Sequence, residues 1–167
     1  SESVHCFAAM NPCPCGYLGS QAKQCTDSLQ SIRRYQSKLS GPLLDRIDLH
    51  IEVLVISQQD LTNQQLRGEK SSAVKARVEA AREIQITRQG KINAILTSKE
   101  LDKVCALDDD SKKMLSIAID KMGLSARGYY KILKVARTVA DLNCSNIVSK
   151  KDIQEAIGYR KMDKFIK

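Results

Sequence analysis

The stretch Ala8-Ala9-Met10-Asn11-Pro12-Cys13-Pro14-Cys15-Gly16 constrains this chain more than any other. A short apolar run, Val4 to Met10, stops at a polar Asn, and two prolines, two cysteines and a glycine follow within five positions. Proline fixes φ and has no N–H to give a ladder, so the run ends in a tight loop poor in backbone hydrogen bonds. Val4 to Met10 is read as a buried strand, with Asn11 at its tip, where buried sheets present their working side chains. Ile47 to Ile56 reads as a second strand, half-buried, because Ile47, Leu49, Ile51 and Val53 alternate with Asp48, His50 and Glu52. A strand without a sheet of its own cannot bury both faces, so the chain is expected to be a piece of a longer protein.

Between these runs Ser28 caps a helix over Leu29 to Leu39, and Gly41-Pro42 breaks it. Leu43 to Arg46 reads as a turn of helix or a loop. Ser57 to Ser71 is rich in Gln, Asn, Ser and Gly and reads as a linker. Helical signals take over beyond it. Ser72 to Gln89 carries Val74, Val78, Ala81 and Ile84 at helical spacing and ends at Gly90. Shorter helices follow: Thr97 to Cys105 capped by Ser98, and Asp108 to Met122 with an acidic start, closed by Gly123. Ser125 caps a helix to Asn143, and Ser149 caps a last one to about Tyr159, with Asp152 at the capping-box position. The fold class is mainly α: the end of an α/β core over 1–56 (two strands and a helix), a linker over 57–70, a helical bundle over 71–160 and a tail over 161–167.

The net charge is +8, and it is one-sided. The first 70 residues carry 7 Lys/Arg and 7 Asp/Glu, the remaining 97 carry 20 and 12. A basic half suits a polyanion such as nucleic acid or nucleotide phosphates, though a solvated helical surface rich in Lys also accounts for it. No apolar run approaches the ~20 residues that cross a bilayer, so no membrane partner is expected. No signal-peptide pattern opens the chain, and the clustered cysteines do not form a framework across a small secreted domain. A reducing, cytoplasmic setting is expected.

Four constellations carry candidate chemistry. Cys13, Cys15 and Cys25 place three thiols in one loop, and Asp27 offers a fourth ligand for zinc; reduced thiols without metal are the alternative. Cys6, on the first strand, is expected to point into a core. Asn11 has the chemistry to orient a water or touch a phosphate, and it is equally a common turn former before proline. Arg46 is either salt-bridged by its neighbours Asp45 and Asp48 or an arginine finger that stabilises phosphoryl charge. Arg127, Lys131 and Lys134 share one helix face, opposite the apolar Ile132, Ala136, Val139 and Ala140. Arg127 lies in the first turn, where the helix dipole disfavours a cation, which points to a polyanion there. Arg137 and Asp141 form an i,i+4 pair expected to be structural and worth only ~0.3–0.5 kcal/mol.

Taken in order, AAMNPCPCG, RRYQSKLSGPLLDRIDLHIEV and LSARGYYKILKVARTVADL resemble the magnesium-chelatase-like AAA+ ATPases of the YifB/ComM group over nearly the whole chain. The resemblance implies the C-terminal third of a protein of about 500 residues. A phosphate-cradling G-x-x-x-x-G-K-[ST] loop and a Walker B acidic strand would then lie upstream of Ser1. It implies that 1–56 ends an AAA+ core and that about 71–159 is the helical lid. Asn11 matches sensor 1, Arg46 the arginine finger of the helix-2-insert clade, and Arg127 sensor 2. Lys131 and Lys134 would face phosphates or DNA. The family carries a C-x-C pair on both sides of the loop, whereas the second pair here reads Cys25-Thr26-Asp27. The implied cofactors are ATP with Mg2+, the implied assembly a homohexamer, and the implied work ATP-driven branch migration on DNA. A non-enzymatic DNA-binding module and a chelatase-type ATPase are the alternatives.

Overall fold

The computed structural model describes residues 6–20, 22–53 and 68–160. Seven α-helices occur among them: α1 (Leu29–Gln36), α2 (Gly41–Leu44), α3 (Ser71–Gln89), α4 (Ser98–Val104), α5 (Asp109–Met122), α6 (Ala126–Leu142) and α7 (Lys150–Gly158). A 3-10 turn at Asn93–Ile95 joins α3 to α4. The molecule is mainly α, as its patterning implies. Most of the linker, residues 57–67, and the tail lie outside the described residues.

Short polar side chains set the helix starts by accepting the backbone N–H groups that a first turn leaves unpaired. Ser28 accepts from Ser31 at 3.2 Å, Asp108 from Ser111 at 2.7 Å and Ser125 from Gly128 at 3.2 Å. Ser149 and Asp152 form a reciprocal capping box. At α4 the cap is Thr97, not Ser98, because Glu100 three residues on closes a second box with it. Gly41-Pro42, expected only as a breaker, opens α2: Ser40 caps it and Pro42 sits in the first turn, where a missing N–H costs nothing. Gly90 and Gly123 end α3 and α5 at φ of 75° and 62°, a conformation glycine reaches without a Cβ clash.

Helix α6 is the centre of the bundle. Its expected apolar face, Ile132, Ala136, Val139 and Ala140, is buried, with Leu133 beside it. Ala136 and Ala140 let α7 approach closely, and Ile153 and Ala156 fill the contact. Leu101 and Cys105 of α4, Leu115 of α5 and Val148 complete the core. Burial pushes the Cys105 thiol up to about 12, so it remains a protonated, inert core group.

One edge of this core is ionic. Arg137 and Asp141, expected as a structural pair worth little, are both fully buried, 2.9 Å apart. Arg88, from the end of α3, grips the same carboxylate at 2.5 and 3.1 Å. Asn93 adds 2.8 Å from its amide, while its own backbone N–H goes to Gln85. The remaining Arg137 donors satisfy the carbonyls of Asn146 (2.9 Å) and Ser145. The pair is buried because α3 and the 3-10 turn fold over it, which neighbour spacing on one helix cannot announce.

Among the described residues there is no β-strand. Residues 6–10 and 47–53 carry strand patterning but no regular structure; the remainder of the two expected strands, residues 4–5 and 54–56, lies outside the described residues. Phe7 is 96% exposed, and Ile51 and Val53 are 66% and 88% exposed. Cys6, expected in a core, is exposed. A strand needs a partner for its backbone groups and its apolar face, and the described residues offer neither.

Burial alone would raise the Asp141 carboxyl, but hydrogen bonds from Arg88 and Asn93 and the charge of Arg137 outweigh it and hold it below the usual range. With a lowered native value, this stabilisation is complete above the unfolded carboxylate's titration, about 3.9, and is lost as pH falls through the native value. Asp141→Ala should cost about 3–5 kcal/mol, because it strands two guanidiniums at the core edge. Urea denaturation across pH 2–6 checks both points: the parent loses stability in acid, and the variant loses less of what remains.

Candidate functional site

Three residues singled out from sequence, Asn11, Arg46 and Arg127, reach the surface on three different supports. Asn11 is exposed at the end of the first apolar run. It rests on the turn that follows, in which the Gly16 N–H donates to the Cys13 carbonyl at 3.0 Å. Gly16 has φ 82°, and a Cβ there would lie 3.6 Å from the Asn11 amide nitrogen, so the carboxamide lies over the turn at this glycine. Gln36 of α1 holds the same loop by donating to the Pro12 carbonyl at 3.0 Å.

Arg46 lies just beyond α2. Its flanking carboxylates do not pair with it. Asp45 instead accepts from the Ser125 hydroxyl at 3.0 and 3.1 Å, and Arg160 approaches it at 3.8 Å. Asp48 meets Lys131 at 2.8 Å, and Lys131 also donates to the Arg46 carbonyl. Two more bonds finish the attachment: Arg160 to the Ile47 carbonyl at 2.6 Å and the His50 N–H to the Tyr159 carbonyl at 2.7 Å. Segment 45–50 is thus stapled to the start of α6 and the end of α7. The Asp45 carboxylate also sits at the N-terminus of α6, where the helix dipole favours an anion.

The staple leaves the Arg46 guanidinium exposed. Arg127, in the first turn of α6, is exposed beside the same junction. Neither guanidinium has a hydrogen-bond or ion-pair partner among the described residues. Lys131 and Lys134 differ: both have internal partners, with Lys134 donating to the Ala94 carbonyl at 2.8 Å. Desolvation lowers the Lys134 ammonium, and the neighbouring Lys131 charge adds to that against the pull of Asp48. Of the basic face read on α6, only the Arg127 side chain has no partner among the described residues.

The loop cysteines converge. Cys13 is fully buried, and its sulfur lies 3.3 Å from that of Cys15 and 3.7 Å from that of Cys25. Cys15 and Cys25 are 3.5 Å apart. Asp27 accepts the Cys15 N–H at 2.9 Å and faces the Cys25 sulfur at 3.8 Å. The Cys15 thiol and N–H hold the Asp27 carboxyl below its ordinary value. The Asp27 backbone pulls the Cys25 thiol down, but desolvation and its two thiol neighbours raise it to about 11.

Sequence reading missed the staple. The signal was present in Asp45 and Asp48, whose assignment to Arg46 was the local choice. Their true partners lie about 80 residues away, and nothing in the spacing names them.

Family models match both parts of the chain. One for the C-terminal portion of the magnesium chelatase ChlI subunit covers residues 68–160, and one for the ChlI subunit covers residues 2–61. Competence protein ComM of Haemophilus influenzae is 48% identical over 93% of this chain and 30% of its own length. The Escherichia coli protein YifB is 41% identical over 95% of this chain and 31% of its own. Rv2897c of Mycobacterium tuberculosis is 32% identical over 91% and 30%. The chain therefore spans about 30% of the length of these relatives. No helix among the described residues is long and apolar enough to cross a membrane.

The staple makes a prediction about local opening. Asp45→Ala removes the acceptor for Ser125 and the anion beside Arg160. It should speed hydrogen exchange at the His50 amide and leave core amides such as Leu133 at the parental rate. Ser125→Ala should do the same and also cost about 1 kcal/mol for the lost cap. An unchanged His50 rate in both variants would mean that other contacts hold the segment.

Proposed function

Because the chain belongs to the magnesium chelatase ChlI C-terminal family, we propose that it is the distal part of a magnesium-chelatase-like AAA+ ATPase that binds and hydrolyses ATP. Arg46 and Arg127 neutralise charge that develops on ATP phosphates, and Asn11 orients the attacking water. The observation that carries this reading is the fate of the charges around Arg46. Both carboxylates beside it are taken up by the helical bundle, and its guanidinium is left exposed and without a partner among the described residues, as is that of Arg127. A guanidinium is permanently charged and presents planar donors suited to phosphate oxygens.

Mg2+ would enter with ATP and would supply positive charge to its phosphates. The residues named here supply cations and a hydrogen-bonding amide, and none is offered as a magnesium ligand. An arginine finger acts on a nucleotide held by a neighbouring subunit, so the reading implies self-assembly, with a homohexamer as the proposed form. ATP-driven branch migration on DNA is the proposed work. The name of the Haemophilus influenzae relative, a competence protein, and the basic bundle support it.

A non-enzymatic DNA-binding module is less well supported. Lys131 and Lys134, the lysines best placed to grip a backbone, are held by carboxylate and carbonyl partners. Chelatase-type metal insertion uses the same ATPase parts, and the family description favours keeping it as the second reading.

In the full-length protein, Arg46→Ala should lower ATP turnover about 10³-fold while nucleotide still binds. Arg127→Ala and Asn11→Ala should also lower turnover, without unfolding the bundle. Steady-state hydrolysis with a parallel nucleotide-binding assay checks this; a parental rate in Arg46→Ala removes the finger assignment. The 167 residues contain no G-x-x-x-x-G-K-[ST] loop, so the chain by itself should not hydrolyse ATP. Binding of DNA by the chain alone, falling steeply with salt, would instead favour the DNA-binding module.

A further inference from the structure

We propose that Cys13, Cys15, Cys25 and Asp27 form a tetrahedral site for one Zn2+ that braces the loop beneath Asn11. Their four ligand atoms all lie within 4.8 Å of one another. With Zn–S bonds of about 2.3 Å, a tetrahedral site has S···S edges of about 3.7 Å. The three sulfur separations here, 3.3, 3.5 and 3.7 Å, fall close to that edge. They are far longer than a disulfide bond of about 2.0 Å. Three thiols and a carboxylate suit Zn2+, since the hard cations Ca2+ and Mg2+ take oxygen ligands.

A second observation points to an occupant. Among the described residues of 11–27 there is no helix or strand, and Cys13 is the one buried side chain. A segment of this length without an apolar core has little to offset the entropy of ordering it. A metal that joins the 13–15 turn to 25–27 supplies the missing cross-link, as in small domains whose folding is coupled to metal. The supporting shell is already built. The Cys15 N–H orients the Asp27 carboxylate, and the Gly16 to Cys13 hydrogen bond closes the turn so that two cysteines separated by one proline face the same point.

The site has a consequence for Asn11, whose carboxamide lies over the braced turn, within 3.6 Å of where a Cβ at Gly16 would be. That consequence is structural and stands whether or not Asn11 meets a nucleotide. Coordination fixes the turn, and the turn fixes the side chain.

The test uses the chain expressed in zinc-supplemented medium and purified without chelators. Elemental analysis should find about one Zn2+ per chain, and Co2+ substitution should give the thiolate charge-transfer and tetrahedral ligand-field bands of a sulfur-rich site. Cys13→Ser and Cys25→Ser should each weaken zinc binding at least tenfold, and so should Asp27→Ala, measured by competition with a chromogenic chelator. Asp27→Cys should keep the one-to-one stoichiometry and bind more tightly. Removing zinc should shift the side-chain amide resonances of Asn11 and leave the far-ultraviolet circular dichroism of the helical bundle in place. That helical signal also shows whether a cysteine variant has folded. Zinc well below one equivalent in the folded parent overturns the site, and Asp27→Ala binding zinc as tightly as the parent overturns the fourth ligand. Asn11 resonances indifferent to zinc overturn the bracing role.

Discussion

The Asp141 carboxylate is the interaction on which the bundle depends. It is buried, and three donors converge on it: Arg88 from the end of α3, Asn93 from the 3-10 turn and Arg137 from one turn earlier on α6. A buried charge of this kind is costly unless each lone pair is used, and here the donors come from three separate elements. That requirement fixes how α3 lies against α6, a contact its side chains specify weakly. Only Ala81 and Gln85 of α3 are buried, so the helix has little apolar surface with which to choose a register. The polar cluster chooses it. Apolar packing between α6 and α7 then supplies the bulk of the burial, and the ionic edge determines which arrangement is reached.

With α6 and α7 fixed, their ends become a rigid platform. The start of α6 presents Ser125, the body of α6 presents Lys131, and the end of α7 presents the Tyr159 carbonyl, followed by Arg160. Segment 45–50 has no hydrogen-bond ladder of its own and takes its shape from these groups. Order therefore passes from the core outward to a backbone that would otherwise be free to sample many conformations. Lys131 belongs to this mechanism, and Lys134 does the same for the 3-10 turn through the Ala94 carbonyl. A basic stripe on a helical wheel does not distinguish holding a loop from meeting a nucleic acid.

Much of the fold was legible because its signals are local. Capping residues, glycines at helix ends and the apolar face of α6 act within one or two turns, and each lies where spacing puts it. The exceptions are informative. Thr97 rather than Ser98 caps α4 because Glu100 completes the box only from that position. The alternation over 47–53 is real, but a strand is completed by a neighbour, and no sequence pattern within seven residues can supply one. For the candidate site, residue types were legible and partners were not. Asp45 and Asp48 flank Arg46 in sequence, yet they bond to residues about 80 positions away, which reverses the inference from adjacency. Convergence of the cysteines was half visible: the spacing marks a loop with three thiols, while the orientation of Asp27 by the Cys15 N–H is a matter of geometry.

Asn11, Arg46 and Arg127 share a design even though their supports differ. Each side chain is exposed, and each is carried on a support with at least one buried or half-buried member. Under Asn11 lies the Cys13 turn, behind Arg46 lies the Asp45–Ser125 and Asp48–Lys131 attachment, and Arg127 rides on a helix locked by Asp141. An exposed cation keeps its charge at little desolvation cost; a buried one has to be neutralised by a neighbour, as Arg137 is. The division of the basic residues follows from this. Cations needed for architecture are given carboxylates and carbonyls, and the two guanidiniums beside the junction of α6 with segment 45–50 are given none among the described residues. Substitutions in the supports would then move the exposed groups without touching them. Positioning at such a surface is as much a property of Asp45, Ser125 and Asp141 as of the arginines they present.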